Sequence, residues 1–416
     1  MPATLQKTSV VERFLRYVTY DTQSSEKTGT NPSTEKQLVL ADQLVKELRE
    51  LGVHDAARDA NGLVFATLPS NTKKDVPVIG LVAHVDTSPE SSGTSVKPIV
   101  HSSWRGDDIV LPDDASVVLR VSEHPELKEQ IGNDIITASG TTLLGADDKA
   151  GVAEIMAAAE YLLRHPEIAH GSIRLGFTPD EEIGRGTENF DIQAFGAKYA
   201  YTMDGEARGT MDVETFSADA MVLEFIGFNT HPGFAKGKMI NSIRVAADFL
   251  ARVPRDRMSP ETTELREGFV HPYTLDASVD RTAVKFIIRD FRTAELKKME
   301  DLLESLARET VAKWPGARYT ARVQESYRNL GDVLAQHPAV VENAREAYRR
   351  SGLEPSEEAI RGGTDGSRLS AMGLPTPNLF SGAHSFHSRH EWVSAQDMEK
   401  AVEVIVNLAR VWEERS

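Results

Sequence analysis

Apolar positions along the chain change their spacing several times, and each change marks an element. Segment 34–52, TEKQLVLADQLVKELRELG, carries apolar residues at helical spacing, which predicts an amphipathic helix. Thr34 and Gln37 predict a capping box at its start, and Gly52 predicts its end. VPVIGLVAHVDT, at 76–87, is an almost unbroken apolar run, the pattern of a strand buried on both faces. DDKAGVAEIMAAAEYLLRHP, at 147–166, reads as a helix with acids in its first turn and His165–Pro166 at its end. GSIRLGFT (171–178) and AKYAYTMD (197–204) read as further short strands. Strand alternating with helix predicts an α/β fold with a mostly parallel sheet flanked by helices.

The pattern changes near Gly209. SADAMVLEFIGF is a strand with partly alternating sides, MINSIRVAADFLARVP a helix, TAVKFIIRDF a strand, TAELKKMEDLLESLARETVAKWPG a long helix and ARYTARVQESY a strand. These five form a small α+β unit. Helix and strand signals of the first kind then return: a helix around Pro338–Arg350, a loop IRGGTDGSRLSAMG, a strand TPNLFSG and a last helix from about Ser394. The expected organisation is an α/β domain in two parts, 1–214 and 330–416, with a smaller α+β domain inserted at 215–329.

The length of 416 residues agrees with two domains, and 40% hydrophobic with 26% charged residues is the balance of a soluble globular protein. A net charge of −16 argues against nucleic acid or an anionic membrane as partner, because phosphate binding needs clustered Lys and Arg. With no cysteine there are no disulfides, and any zinc site must use His, Asp and Glu. The opening MPATLQKTSVVERFLRYVT has no apolar core of signal-peptide length, and no segment approaches a membrane span. The expected location is the cytoplasm.

Several chemically active residues stand at the carboxyl ends of predicted strands, where open α/β sheets bind ligands. His84 and Asp86 lie two apart in AHVDT, on one side of the chain. Asp147 and Asp148 stand where a glycine turn enters a helix, Glu181 and Glu182 follow a strand in TPDEEIGRG, and Asp204 follows another in YTMDGE. His387 lies in SFHSRHEW with His390 and Glu391 close by. Each has a plainer reading alone: a strand-end histidine, a helix cap, a solvated turn, a polar loop. Together His84, Asp147, Glu182, Asp204 and His387 form a nitrogen-and-oxygen donor set that suits zinc, cobalt or manganese. Five ligands exceed one tetrahedral zinc and suit two ions sharing a carboxylate. RGDDIVLPDDAS, with four Asp, reads as a solvated loop or hairpin.

At this point AHVDTSP, TLLGADDKAGVAEIM, TPDEEIGRG, YTMDGE, NTHPGFAKGKMINS, IIRDF, IRGGTDGSRLSAMGLPTPNLFSG and SFHSRHEW together resemble the peptidase T group. These are the tripeptide aminopeptidases of the di-zinc family that also holds carboxypeptidase G-type enzymes and amino-acid deacylases. The resemblance runs from ERFLRYVTYDTQSS to the last helix. It implies a di-zinc exopeptidase type of fold whose inserted domain is a lid and dimerisation domain, and two Zn2+ per subunit, with Co2+ or Mn2+ as alternatives.

It also implies roles. His84 and Asp204 would bind one ion, Glu182 and His387 the other, and Asp147 would bridge them. Asp148 would not be a ligand. Asp86 would hold His84, and Glu181 would be general base to a metal-bridged hydroxide. His231 would stabilise the oxyanion. Asn241, Arg289 and Arg361 would bind substrate, a guanidinium suiting a peptide's terminal carboxylate. The expected activity is release of the N-terminal residue from tripeptides, as a homodimer acting on small peptides. A dipeptidase or N-acyl-amino-acid deacylase on the same site is the sibling reading, and a non-enzymatic metal-binding scaffold the third.

Overall fold

The computed structural model describes residues 7–416; the first six residues of the expected N-terminal part lie outside these. Two compact units divide the chain. The larger runs to Val213 and resumes at Asp332–Glu358 and Thr364–Ser416, while the smaller comprises Glu214–Gly331 and Ala359–Gly363.

In the larger unit eight strands form one sheet, in the order Ala57–Arg58, Val64–Leu68, Ile173–Thr178, Ile79–His84, Tyr199–Gly205, Asn378–Phe380, Thr210–Thr215, Ser356–Ile360. The inner four are mutually parallel, whereas Val64–Leu68 and Thr210–Thr215 join them antiparallel. The fold is therefore α/β, with its parallel character concentrated in the centre. All six residues of the Ile79–His84 strand are buried, which accounts for the unbroken apolar run: helices cover both faces.

Register sets where chemistry can gather. Val82 pairs with Gly176 on one side and with Thr202 on the other. Two residues further on, His84, Thr178 and Asp204 reach one rim of the sheet together. The helix Ala146–Arg164 starts at that rim and is buried almost throughout its length, so its alanine-rich sequence serves close packing on all sides. The last helix, Ala395–Glu414, packs along it. Gly151 shows how tight this is, since a Cβ there would lie 2.0 Å from the Met203 carbonyl oxygen.

One sequence expectation differs from what is found near this rim. Thr34 and Gln37 make no capping box on the helix Lys36–Glu50, which has no side-chain cap. Gln37 instead donates from Nε2 to Asp180 Oδ1 at 2.7 Å and accepts at Oε1 from the Asp180 N–H at 3.0 Å. A buried carboxylate competes for the amide more strongly than the helix end does. The acidic stretch RGDDIVLPDDAS forms a hairpin, Ile109–Val110 against Val118–Leu119.

The smaller unit is a four-stranded antiparallel sheet, ordered Phe269–Ala277, Arg281–Asp290, Ser217–Ile226, Arg318–Tyr327, with helices Ser242–Leu250 and Thr293–Ala312. Alternating burial along Ser217–Ile226 and Arg281–Asp290 matches a sheet with one covered face. Met221, Leu223, Phe225, Phe286 and Ile288 from that face pack with Phe249, Leu296 and Leu303. The hydrophobic pattern does not predict the strand Phe269–Ala277. It contains Pro272, is bulged between Pro272 and Thr274, and lies at the sheet's edge, where a missing N–H is tolerated.

Gly151→Ala should lower the stability of the whole protein by about 1–3 kcal/mol, the usual cost of overpacking. Urea denaturation of the variant beside the wild type measures it, and an unchanged midpoint contradicts the close approach.

Candidate active site

The rim is furnished by five segments far apart in sequence. His84 ends its strand fully buried, with Nε2 3.0 Å from Asp147 Oδ1 and 3.6 Å from Asp204 Oδ1. Its Nδ1 faces Asp86, 3.2 Å from the carbonyl oxygen and 3.3 Å from Oδ1. The other oxygen of Asp147, Oδ2, is 3.2 Å from His387 Nε2, and Glu182 Oε2 is 2.7 Å from that same nitrogen. Two groups result, His84–Asp147–Asp204 and Asp147–Glu182–His387, each with donor atoms within 4.8 Å of one another. Asp147 belongs to both and turns one oxygen to each histidine.

Local backbone explains how these side chains converge. Gly145 takes φ +79°, so the chain enters the Asp147 helix by a turn that an ordinary residue resists. The Asp147–Asp148 peptide is cis. Asp180 and His387 also lie in the left-handed region, at φ +58° each. After Asp180 a single 3-10 turn, Glu181–Ile183, carries the paired glutamates. Asp86 accepts from both of their N–H groups, Glu181 at 3.0 Å and Glu182 at 3.3 Å. One buried carboxylate thus faces His84 and fixes the turn that aims Glu181 and Glu182.

The electrostatics show a site short of positive charge. Burial and the Asp147 charge push Glu182 up to about 8, with His387 opposing. Burial raises Asp204 to about 7 against the pull of His84. Burial also raises Glu181 well above the carboxylate range; His84 opposes this, while Asp204, Asp365 and Glu182 add to it. Hydrogen bonds to Asp147 and Glu182 drive His387 to about 11 despite burial. Burial would lower His84, yet Asp147 and Asp204 raise it well above its usual value. Burial would raise Asp147, yet His387 and His84 hold it below the ordinary range. Bound cations relieve this crowding without protons. The donor set is imidazole nitrogen and carboxylate oxygen, and Glu182 Oε1 is buried with no hydrogen-bond partner. On both counts the residues fit divalent metal ions.

Neighbours to which the sequence assigned no role complete the frame. Asp148 Oδ2 accepts from the His84 N–H at 3.1 Å and Oδ1 from the Gly151 N–H at 3.2 Å, tying strand to helix. Glu391 accepts from the N–H groups of Leu144 (2.7 Å), Gly145 (2.7 Å) and Asp147 (2.9 Å). Asp365 is buried and accepts from Thr178 Oγ1 at 2.7 Å. Glu391 stood in view only as a companion of His387, and Asp365 had no periodic or spacing cue beyond the glycines around it. His390 points elsewhere, its ring 5.9 Å from that of His124.

The remaining four candidates lie in the smaller unit. His231 is exposed on a loop, its Nδ1 accepting from the Gly233 N–H at 3.1 Å. Asn241 caps the helix Ser242–Leu250 through Oδ1, which accepts from the Ile243 N–H at 2.9 Å. Arg289 donates to the Arg361 carbonyl oxygen at 3.2 Å and lies over the Phe269 ring. Arg361 donates to Leu265 O at 3.0 Å and Thr263 Oγ1 at 2.9 Å and lies over Phe216.

A parallel-centred sheet with an inserted antiparallel domain, and a carboxylate shared between two histidine-bearing groups on its rim, suit a metal-dependent hydrolase, and the relatives below make it a metallopeptidase. The chain belongs to peptidase family M20/M25/M40, whose family model matches residues 125–411. Peptidase T of Caldanaerobacter subterraneus subsp. tengcongensis is 47% identical, the match covering 97% of this chain and 98% of that one. Among solved structures, aminopeptidase PepT from Bacillus cereus superposes with TM-score 0.75 at 24% identity, covering 97% of this chain and 98% of that one. A tripeptidase from Staphylococcus aureus gives TM-score 0.75 at 22% identity with the same coverage.

Glu391→Gln should cost about 1–3 kcal/mol, because an amide N–H would face a backbone N–H that now meets a carboxylate oxygen. A urea midpoint equal to that of the wild type would show that the three bonds do not hold the Asp147 turn.

Proposed function

We propose that this metallopeptidase is a tripeptide aminopeptidase that releases the N-terminal residue at a two-ion centre. One observation carries the reading: Asp147 stands between two histidine–carboxylate groups, with Glu181 beside them on the Asp86-bound turn. His84 and Asp204 would hold one ion, Glu182 and His387 the other, and Asp147 both. Zinc is the first candidate for each, with cobalt and manganese as alternatives. Such ions, when bound, lower the pKa of water and polarise a carbonyl group.

The chain's own residues supply the rest. Glu181 would take a proton from the attacking water as its oxygen joins the carbonyl carbon. It would return that proton to the amine nitrogen as the C–N bond breaks. Burial and the surrounding acids raise the proton affinity of Glu181, which favours uptake, and nearby cations would moderate it. Asp86 would keep His84 in one orientation. His231 would stabilise the oxyanion, with Asn241, Arg289 and Arg361 on the substrate. Arg361 as found spends two donors on Leu265 and Thr263, so substrate would have to compete for it.

A homodimer in the cytoplasm is part of this proposal. Among the described residues no helix is long and apolar enough to cross a membrane. The name of the 47% identical relative, Peptidase T, supports the peptidase reading.

Three outcomes test the reading. Zinc-loaded protein should free the N-terminal residue from tripeptides faster than from dipeptides, tetrapeptides or an acetylated amino acid. No release from any tripeptide sinks the proposal, and a faster dipeptide or acylated substrate moves it to a sibling activity. Glu181→Gln should keep both ions by elemental analysis while losing at least about a hundredfold in kcat, since general base catalysis contributes about 10²–10⁴-fold. Glu182→Ala should weaken one ion; the opposite pattern reverses the two roles. Finally, ions must displace protons held by His387, whose value is about 11, and by Glu182, about 8. Metal affinity should therefore rise with pH from 6 to 8 with more than one proton released. Calorimetry in two buffers of different ionisation enthalpy counts them, and zero release refutes the assignment of these residues.

A further inference from the structure

The two groups are supported unequally. Behind His84, Asp86 is 0% exposed, and its carboxylate is locked by the Glu181 and Glu182 N–H groups. Behind His387 stands Glu90. Its Oε2 is 3.5 Å from His387 Nδ1, and its side chain is 70% exposed. The backbone that carries Glu90 is held firmly. Gln23 Nε2 donates to Ser88 O at 3.0 Å and to Ser91 O at 2.7 Å, and Ser91 Oγ donates to His387 O at 2.8 Å. The loop therefore presents an exposed carboxylate at a fixed place beside the ring. His387 itself is 34% exposed, against 2% for His84.

A histidine ligand is oriented and made more basic by the acceptor on its other ring nitrogen, and loss of that acceptor costs about 10–100-fold in metal affinity. A buried, doubly bonded carboxylate does this fully. An exposed one is hydrated and screened by salt, and does it in part. We propose that Glu90 is the positioning residue for His387, and that the ion held by Glu182 and His387 is the weaker-bound and faster-exchanging of the two. The inference rests on the two-ion reading of the site and deepens it. Occupancy of the second position then follows the supply of free metal, with the ion at His84 and Asp204 resident throughout.

Chelator-stripped full-length protein is titrated with zinc against a competing indicator, and bound zinc is checked by elemental analysis. The wild type should show two steps, and Glu182→Ala should remove the weaker. Glu90→Gln should raise the dissociation constant of the weaker step about tenfold and leave the tighter step within about twofold. That tenfold difference should shrink in about 1 M salt, which screens a charge effect and leaves a purely structural one in place. A shift confined to the tighter step, or no shift in either, overturns the role of Glu90. A wild type that binds fewer than two ions overturns the two-ion reading itself and is told apart by its single step.

Discussion

Everything at the rim depends on the carboxylate of Asp147 serving two histidines at once. Its oxygens point to His84 at 3.0 Å and His387 at 3.2 Å, so the two donor groups cannot be moved independently. That position is imposed from three sides. Glu391 fixes the backbone before the helix, the positive φ at Gly145 turns the chain inward, and Gly151 lets the helix lie directly on the Asp204 strand. A large part of the local acidity would be unfavourable without cations. The same crowding that disfavours the ion-free state makes the site receptive to metal.

The rim was legible in sequence because strand ends are legible. An unbroken apolar run that stops at His84, or a short one that stops at Thr178 or Asp204, marks both a buried strand and the place where it meets solvent. Parallel register then does the rest: pairing Val82 with Gly176 and Thr202 delivers the three ends to one edge. The paired glutamates find their reason in the same way. They ride one 3-10 turn held by Asp86, with Glu182 toward His387 and Glu181 among Asp204 and Asp365.

What stayed hidden depends on contacts that no local pattern encodes. Asp365 reaches Thr178 across 187 residues, and Glu391 reaches Gly145 across 246. Gln37 looked like half of a capping box, because its spacing from Thr34 is right for one. The buried Asp180, 143 residues away, takes its amide instead. The edge strand Phe269–Ala277 was hidden by its proline, which interior strands exclude and edges accept. Periodicity therefore reports elements, while the polar ties between elements appear only once they are packed.

One of those ties has a bearing on how the molecule comes into being. His387 and Glu391 follow the whole smaller unit and the strand Asn378–Phe380 in the chain. A chain still being synthesised has His84, Asp147, Glu182 and Asp204 in hand long before it has these two. Until then the Asp147 turn lacks the acceptor of its three N–H groups, and one of the two donor groups is missing its imidazole. The finished rim needs residues from His84 through Glu391, so a chain cut before His387 lacks the parts to assemble it. The order of the chain therefore places completion of the rim after the smaller unit.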